Sequence, residues 1–405
     1  MSAARKVLVH VGAPKTGTSF VQDLLFQNQE RLAEMGVLYP ADRFDAHFLA
    51  ALDLMELPWG GLEHQAVGAW ERLAEQVRRW EGTVIISHEI LATASKQHVH
   101  RALESFGPDA EVHVVVSVRD LVRQIPAEWQ ENVKHRRTVA YREFLDRIMD
   151  PASTGPVSSW FWGVQDIPEI LTRWSSELPG DQVHVVTVPK PGAPRDLLWE
   201  RFASVFGLEP EEFDTSTVQR ANPSLGVAET TFVRQVNQRV NDGVLPNENY
   251  RELVRELLAH RTLSGREGAV RLRLPPDARA WATELSGRWV ADLGSRGYHL
   301  VGSWDDLIPD AEDESPFVDP DTVPAEQLED VALQSVVTLL LRTTEMRHEV
   351  DDAHRRLEQA IAERDQARRE VGLVIRAKRS FIRRAESSAS LGMMYRVYRK
   401  VLRRR

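Results

Sequence analysis

The sequence predicts an α/β protein, a parallel sheet flanked by helices, followed by a C-terminal helical, coiled-coil extension. Three observations carry that prediction. Four short runs are rich in Val and Ile, the segments between them repeat apolar residues at helical spacing, and a strict 4,3 alternation appears near the C-terminus.

The four runs are residues 6–12, 83–87, 111–118 and 182–188. Each is almost continuously apolar and bounded by turn residues, the pattern of a strand buried on both faces. Between them, Phe20, Leu24, Leu25, Leu32 and Met35, and then Trp70, Leu73, Val77 and Trp80, recur at the spacing of an amphipathic helix. Strand alternating with helix implies right-handed crossovers and a parallel sheet. With 405 residues, 42% of them hydrophobic, the chain supports one large domain with appendages.

That domain is predicted over 1–304. Residues 305–330 are rich in Asp, Glu and Pro, which reads as an acidic linker unable to fold alone. A helix follows over 331–371. From Leu339, the residues Thr343, Met346, Val350, Ala353, Leu357, Ala360, Arg364, Ala367 and Val371 form a coiled-coil seam, implying self-association through 339–371. Small Ala residues and Arg364 also make the stretch compatible with a solvated single helix held by charge pairs. Residues 372–405 form a basic amphipathic tail, with eleven Lys or Arg against the one acid Glu386, so the rest of the chain is near −19 for a total of −9.

Composition excludes several chemistries. Without cysteine there are no disulfides, thiolate metal sites or cysteine nucleophile. No stretch reaches the roughly 18–20 apolar residues of a membrane span, and residues 7–11 are too short for a signal segment. A soluble, cytoplasmic protein is expected. The tail's alternation of basic and apolar residues suits an anionic membrane surface, which would make the protein peripheral at the inner face. Docking onto the acidic body is a rival, and nucleic acid is the least supported partner. His10, His113 and His184 read as ordinary strand histidines, and no metal is expected. Trp160, Phe161, Trp162 and Trp129 read as packing residues first and as stacking platforms second.

The first strand leads into Gly12-Ala13-Pro14-Lys15-Thr16-Gly17-Thr18-Ser19, and a helix begins near Thr18. This is an anion trap. Glycine lets the backbone turn and approach a ligand, the first helical amides point outward, and the helix dipole favours negative charge there. Lys15 adds a mobile cation, and Thr16, Thr18 and Ser19 add hydroxyl donors. A Walker A loop places its lysine after the second glycine, and here the lysine precedes it at a shorter spacing.

The order Pro-Lys-Thr-Gly-Thr-Ser resembles the 5'-phosphosulfate loop of the sulfotransferases that use 3'-phosphoadenosine 5'-phosphosulfate, usually Pro-Lys-Ser/Thr-Gly-Thr-Thr/Ser. The resemblance spans about residues 5–300 in layout and implies a P-loop-like fold. It assigns donor contacts to Pro14, Lys15, Thr16, Gly17, Thr18 and Ser19. It also assigns the 3'-phosphate to Arg119 at the end of run 111–118, where a guanidinium can fork onto a phosphate. The family's serine eight residues after that arginine is Ala127 here, with Gln130, Lys134 or Arg123 as substitutes. Arg220, before Asn222-Pro223-Ser224-Leu225-Gly226, falls where the family closes a loop over the 3'-phosphate.

The implied reaction moves a sulfuryl group in line to an acceptor hydroxyl, less readily an amine, with carbohydrate or glycolipid as acceptor. Lys15 would neutralise the leaving oxygen, and Ser87-His88-Glu89 offers Glu89 or His88 as base. No metal is required. Two other readings remain at this stage, a P-loop nucleotide kinase and a non-catalytic membrane scaffold with a degenerate nucleotide-binding domain.

Overall fold

The computed structural model describes residues 5–218, 224–240, 243–310, 316–387 and 389–402. The chain divides into two compact units, Met1–Ser335 and Val336–Arg405.

The first unit is built on a six-stranded sheet of order β2-β3-β1-β4-β5-β6. Its strands are β1 (Arg5–His10), β2 (Val37–Leu38), β3 (Thr83–Ser87), β4 (Ala110–Val118), β5 (Val183–Thr187) and β6 (His299–Val301), and every pairing is parallel. The four Val/Ile-rich runs therefore form the central strands. The two further strands are edge pieces of two and three residues, too short to produce a periodic signal.

Side chains alternate across the pleat. Val7, Val9, Val84, Ile86, Val114 and Val116 enter one core, while Leu8, Ile85, Val115 and Val186 enter the other. The second core is closed by helix α1 (Thr18–Gln27), which brings Leu24 and Leu25, and by helix Leu197–Phe206, which brings Trp199 and Phe202. The first is covered in part by helix α2 (Leu121–Lys134), whose Ile125, Trp129 and Val133 are fully buried. The helical spacing from Phe20 to Met35 resolves into two helices, broken at Asn28.

The acidic stretch 305–330 holds more structure than its composition predicts. In its described part, Phe317, Val318 and Val323 pack against the first core. Asp321 accepts from the amides of Tyr141 (3.1 Å) and Arg142 (2.9 Å) and pairs with Arg234 at 3.1 Å. Its acids neutralise and cap other elements, so their number does not measure how much of the segment is solvated. The boundary between units falls after Ser335, on helix α3 (Ala325–Glu386). No helix among the described residues is long and apolar enough to cross a membrane.

Candidate active site

β1, β3 and β4 end together, and each contributes to one cluster. After β1 the chain stays on the sheet for three more residues: the Val11 amide donates to Val115 O (3.0 Å), Ala13 N to Ser117 O (2.9 Å) and Ser117 N to Gly12 O (2.6 Å). Gly12 has φ +111°, and a Cβ there would sit 3.1 Å from the Glu89 carbonyl, so the loop closes directly on the end of β3. Gly17 has φ +90°, and a Cβ there would lie 2.5 Å from Leu198 Cδ2. Both positions favour glycine for conformation, and Gly12 also for its close approach to the Glu89 backbone. Lys15 also adopts positive φ (65°), an uncommon state for a residue with a Cβ.

Several polar groups of the loop are already engaged. Thr16 Oγ1 donates to Ala13 O (2.6 Å) and shares a 2.5 Å contact with Ser117 Oγ. His10 bridges Ser87 Oγ (2.8 Å) and Ser117 Oγ (3.1 Å) beneath it. Burial lowers the His10 pKa to about 4, against the pull of Glu89, so this bridge is neutral. Gln124 donates to Pro14 O. The N-terminus of α1 has no side-chain cap, which leaves its first amides to a ligand or water.

Lys15 Nζ pairs with Glu131 on α2. Glu131 also receives Arg255 Nη2 (3.2 Å) and His135 Nε2 (3.1 Å). Burial pushes the Glu131 carboxyl up, but Lys15, His135 and Arg255 outweigh it and hold it well below the usual range. One turn earlier lies Glu128, only 3% exposed, accepting from Gln165 Nε2 (3.3 Å) and hydrogen-bonded to Trp160. Its burial dominates: the pKa rises to about 7 despite Lys15, with the charge of Glu131 adding to the rise. Neither acid was among the predicted residues. The available signal was spacing, because Gln124, Glu128 and Glu131 follow i, i+4, i+7 and share one face of α2.

Arg119 stands where β4 ends and α2 begins. Its Nη1 donates to Lys15 O at 3.3 Å, while its buried Nε has no hydrogen-bond partner among the described residues. Among the described residues no carboxylate forms an ion pair with it, because Asp120 is engaged by Arg123 and by capping α2. Burial lowers the Arg119 pKa to about 10, and Arg123 and Arg271 add repulsion that Asp120 only partly opposes. The guanidinium opens on a cleft of about 610 Å³ that also carries Arg123, Lys190, Arg271, Arg273 and Arg279 against Asp120, Asp306 and Asp310, with Lys190 paired to Asp310 at 2.6 Å.

Ala127 lines the same cleft. Of the three side chains named as substitutes for a serine at Ala127, Gln130 is engaged with Leu225 O (2.6 Å) and Thr230. Lys134 is not in the cleft lining. Arg123 is, and its buried Nη2 lacks a hydrogen-bond partner among the described residues. Arg220 lies outside the described residues.

At the end of β3, Glu89 Oε2 accepts from Gln22 Nε2 of α1 (3.0 Å). Burial raises the Glu89 pKa, but His88 and the Gln22 bond reverse the sign, so the carboxyl is ionised at neutral pH. The His88 pKa is lowered by burial, with Glu89 opposing, and its Nδ1 accepts from Ile90 N (3.2 Å). That bond leaves the ring proton of neutral His88 on Nε2. An aromatic path runs from His88 to Phe48 (5.0 Å), Trp59 (5.5 Å) and Trp160 (5.7 Å). Phe161 and Trp129 are core residues.

The strand histidines form a chain that their separation in sequence conceals. His113 Nδ1 contacts His184 Nε2 (2.9 Å), and His184 Nδ1 contacts His299 Nδ1 (2.8 Å). Among the described residues, no group of three or more His, Cys, Asp or Glu is arranged to hold a metal.

No family model and no curated protein matches the chain. A solved structure, the sulfotransferase from Alicyclobacillus acidocaldarius, is similar to it with 18% identity and a TM-score of 0.43, over 74% of this chain and 98% of that one.

Proposed function

We propose that the first unit is a sulfotransferase that takes its sulfuryl group from 3'-phosphoadenosine 5'-phosphosulfate. The observation that carries this reading is Arg119, a half-buried guanidinium whose buried Nε has no hydrogen-bond partner among the described residues, touching the Lys15 carbonyl and opening on a cleft with more basic than acidic side chains. A buried cation without a partner is costly, and a bound anion would relieve that cost. Loop and cleft together suit a ligand with phosphates at both ends. The 5'-phosphosulfate belongs on the loop, and the 3'-phosphate on Arg119 with Arg123 supplying what Ala127 cannot.

The chemistry is displacement at sulfur. The acceptor hydroxyl loses its proton to the base, its oxygen forms the new S–O bond, and the bond from sulfur to the 5'-phosphate oxygen breaks, releasing 3'-phosphoadenosine 5'-phosphate. Lys15 neutralises the departing oxygen once its ammonium exchanges Glu131 for the donor. Glu89 is the base favoured by its ionised state, since His88 has its Nδ1 lone pair committed to Ile90 N. Trp160, Trp59 and Phe48 offer an aromatic face suited to a sugar ring, which supports a carbohydrate or glycolipid acceptor.

The test is a screen of hydroxyl and amine acceptors with sulfur-labelled donor and no added metal. Transfer to any acceptor that Lys15→Ala abolishes supports the reading. Nucleotide-stimulated phosphorylation requiring magnesium would replace it with a kinase, and absence of both donor binding and transfer would favour the scaffold.

A further inference from the structure

We propose that the second unit joins two copies of this chain through an antiparallel coiled coil over residues 336–371, with its twofold axis between Asp351 and Asp352. Here α3 runs as unbroken helix with its seam in solvent: Val336 is 52% exposed, Met346 43%, Val350 53%, Leu357 57% and Val371 58%. A helix displaying such a stripe is incomplete in water. A second copy is the occupant that the residue pattern specifies.

The seam places Val336, Thr343, Val350, Leu357, Arg364 and Val371 at a positions, and Leu339, Met346, Ala353, Ala360 and Ala367 at d. In a parallel, in-register pair Arg364 would face its own copy, and each of the three alanines would stack on itself in a thin layer. In an antiparallel pair every a residue faces a d residue. Val350 then meets Ala353, Thr343 meets Ala360 and Val336 meets Ala367, each small side chain against a branched one. Leu357 meets Met346, and Arg364 lies beside Leu339 with its head free to reach water.

Flanking charges select the same arrangement. The g positions Arg342, Glu349, Arg356 and Glu363 read in opposite order on the partner, so Arg342 faces Glu363 and Glu349 faces Arg356, twice each by symmetry. A slip of one heptad either way sets Glu349 against Glu363 or against its own copy. Parallel pairing sets Arg342 against Arg347. The same register also places Leu340 (62% exposed) opposite Ile361 (41% exposed), covering apolar residues outside the seam. Arg342 presently bonds Glu345 (3.2 Å) and Glu349 (3.0 Å) on its own helix, exposed contacts that exchange with little loss.

Because the chain contains no cysteine, introduced thiols report the geometry cleanly. Thr343→Cys and Ala360→Cys lie about 25 Å apart on one helix, too far for a short bis-maleimide to bridge within a chain. The full-length double variant should crosslink to a dimer, as should a mixture of the two single variants, whereas neither single variant alone should. Glu349→Arg should weaken the dimer at least tenfold in sedimentation equilibrium, and adding Arg356→Glu to the same chain should restore it. Crosslinking of either single variant with itself, or a wild-type chain that sediments as a monomer at tens of micromolar, would overturn the proposal.

Discussion

The loop after β1 and the cleft beneath Arg119 would hold two ends of one nucleotide, yet the fold prepares them in opposite ways. In the loop several groups already have protein partners, Lys15 with Glu131, Thr16 with Ala13 and Ser117, and Pro14 O with Gln124, around the uncapped first amides of α1. Binding there exchanges contacts within a shaped scaffold. In the cleft Arg119 Nε and Arg123 Nη2 are buried without hydrogen-bond partners among the described residues, and the charges of Arg123 and Arg271 at Arg119 are only partly offset by Asp120. Binding there supplies what is missing. One end is therefore prepared by shape and the other by unbalanced charge.

The largest effect that tests this contrast is on turnover. Lys15→Ala and Arg119→Ala should each lower transfer of labelled sulfate by about 10²- to 10³-fold, the usual loss for one group stabilising developing charge. Circular dichroism should show both variants folded. Wild-type-like turnover in either would remove that half of the site.

Next is the pH dependence set by Glu128. Its folded pKa, about 7, lies above the ordinary carboxyl value of 4.5, so the folded state binds more protons between those limits. Its contribution is fully present below about pH 4.5 and is lost as pH rises through 7, on the order of 3 kcal/mol in all. Glu128→Gln should therefore gain stability relative to wild type as pH is raised from 5 to 8, read by chemical denaturation. A difference that does not change with pH would mean Glu128 is ionised throughout.

Smaller, and aimed directly at the contrast, is stability without ligand. Lys15→Met removes a partner from Glu131 and should destabilise by about 1–3 kcal/mol, softened because Arg255 and His135 remain. Arg119→Met removes a half-buried charge that has no ion pair among the described residues and should leave thermal stability unchanged or raised. If Arg119→Met is the more destabilising, the cleft does not hold unbalanced charge. The smallest effect belongs to Ala127→Ser, which should change affinity for 3'-phosphoadenosine 5'-phosphate by no more than about threefold, because Arg123 already supplies a donor there. A tenfold gain by calorimetry would show that Arg123 does not.

Much of this site was legible before any coordinates. The loop is contiguous, and glycines at 12 and 17 announce its turns. Arg119 follows a run whose apolarity marks a central strand, so its place at a strand end could be inferred. Glu128 and Glu131 escaped because charged residues on a helix ordinarily read as its solvent face. Only tertiary packing turns that face inward. Arg271 and Arg279 reach the Arg119 cleft from about 150 residues away, a proximity that no local pattern encodes. The same holds for 305–330, whose acids look solvated until Asp321 is found capping a helix. His184 and His299 meet only because β5 and β6 are neighbours in the sheet.

The most direct test of the central claim is isothermal titration of the full-length protein with 3'-phosphoadenosine 5'-phosphate in the absence of magnesium, repeated with Arg119→Ala and with adenosine 5'-phosphate. The account predicts micromolar or tighter binding by wild type, and a loss of at least about tenfold, or 1.4 kcal/mol, both when Arg119 is removed and when the ligand lacks its 3'-phosphate. Equal affinity for the two nucleotides, or binding that Arg119→Ala leaves intact, would contradict it.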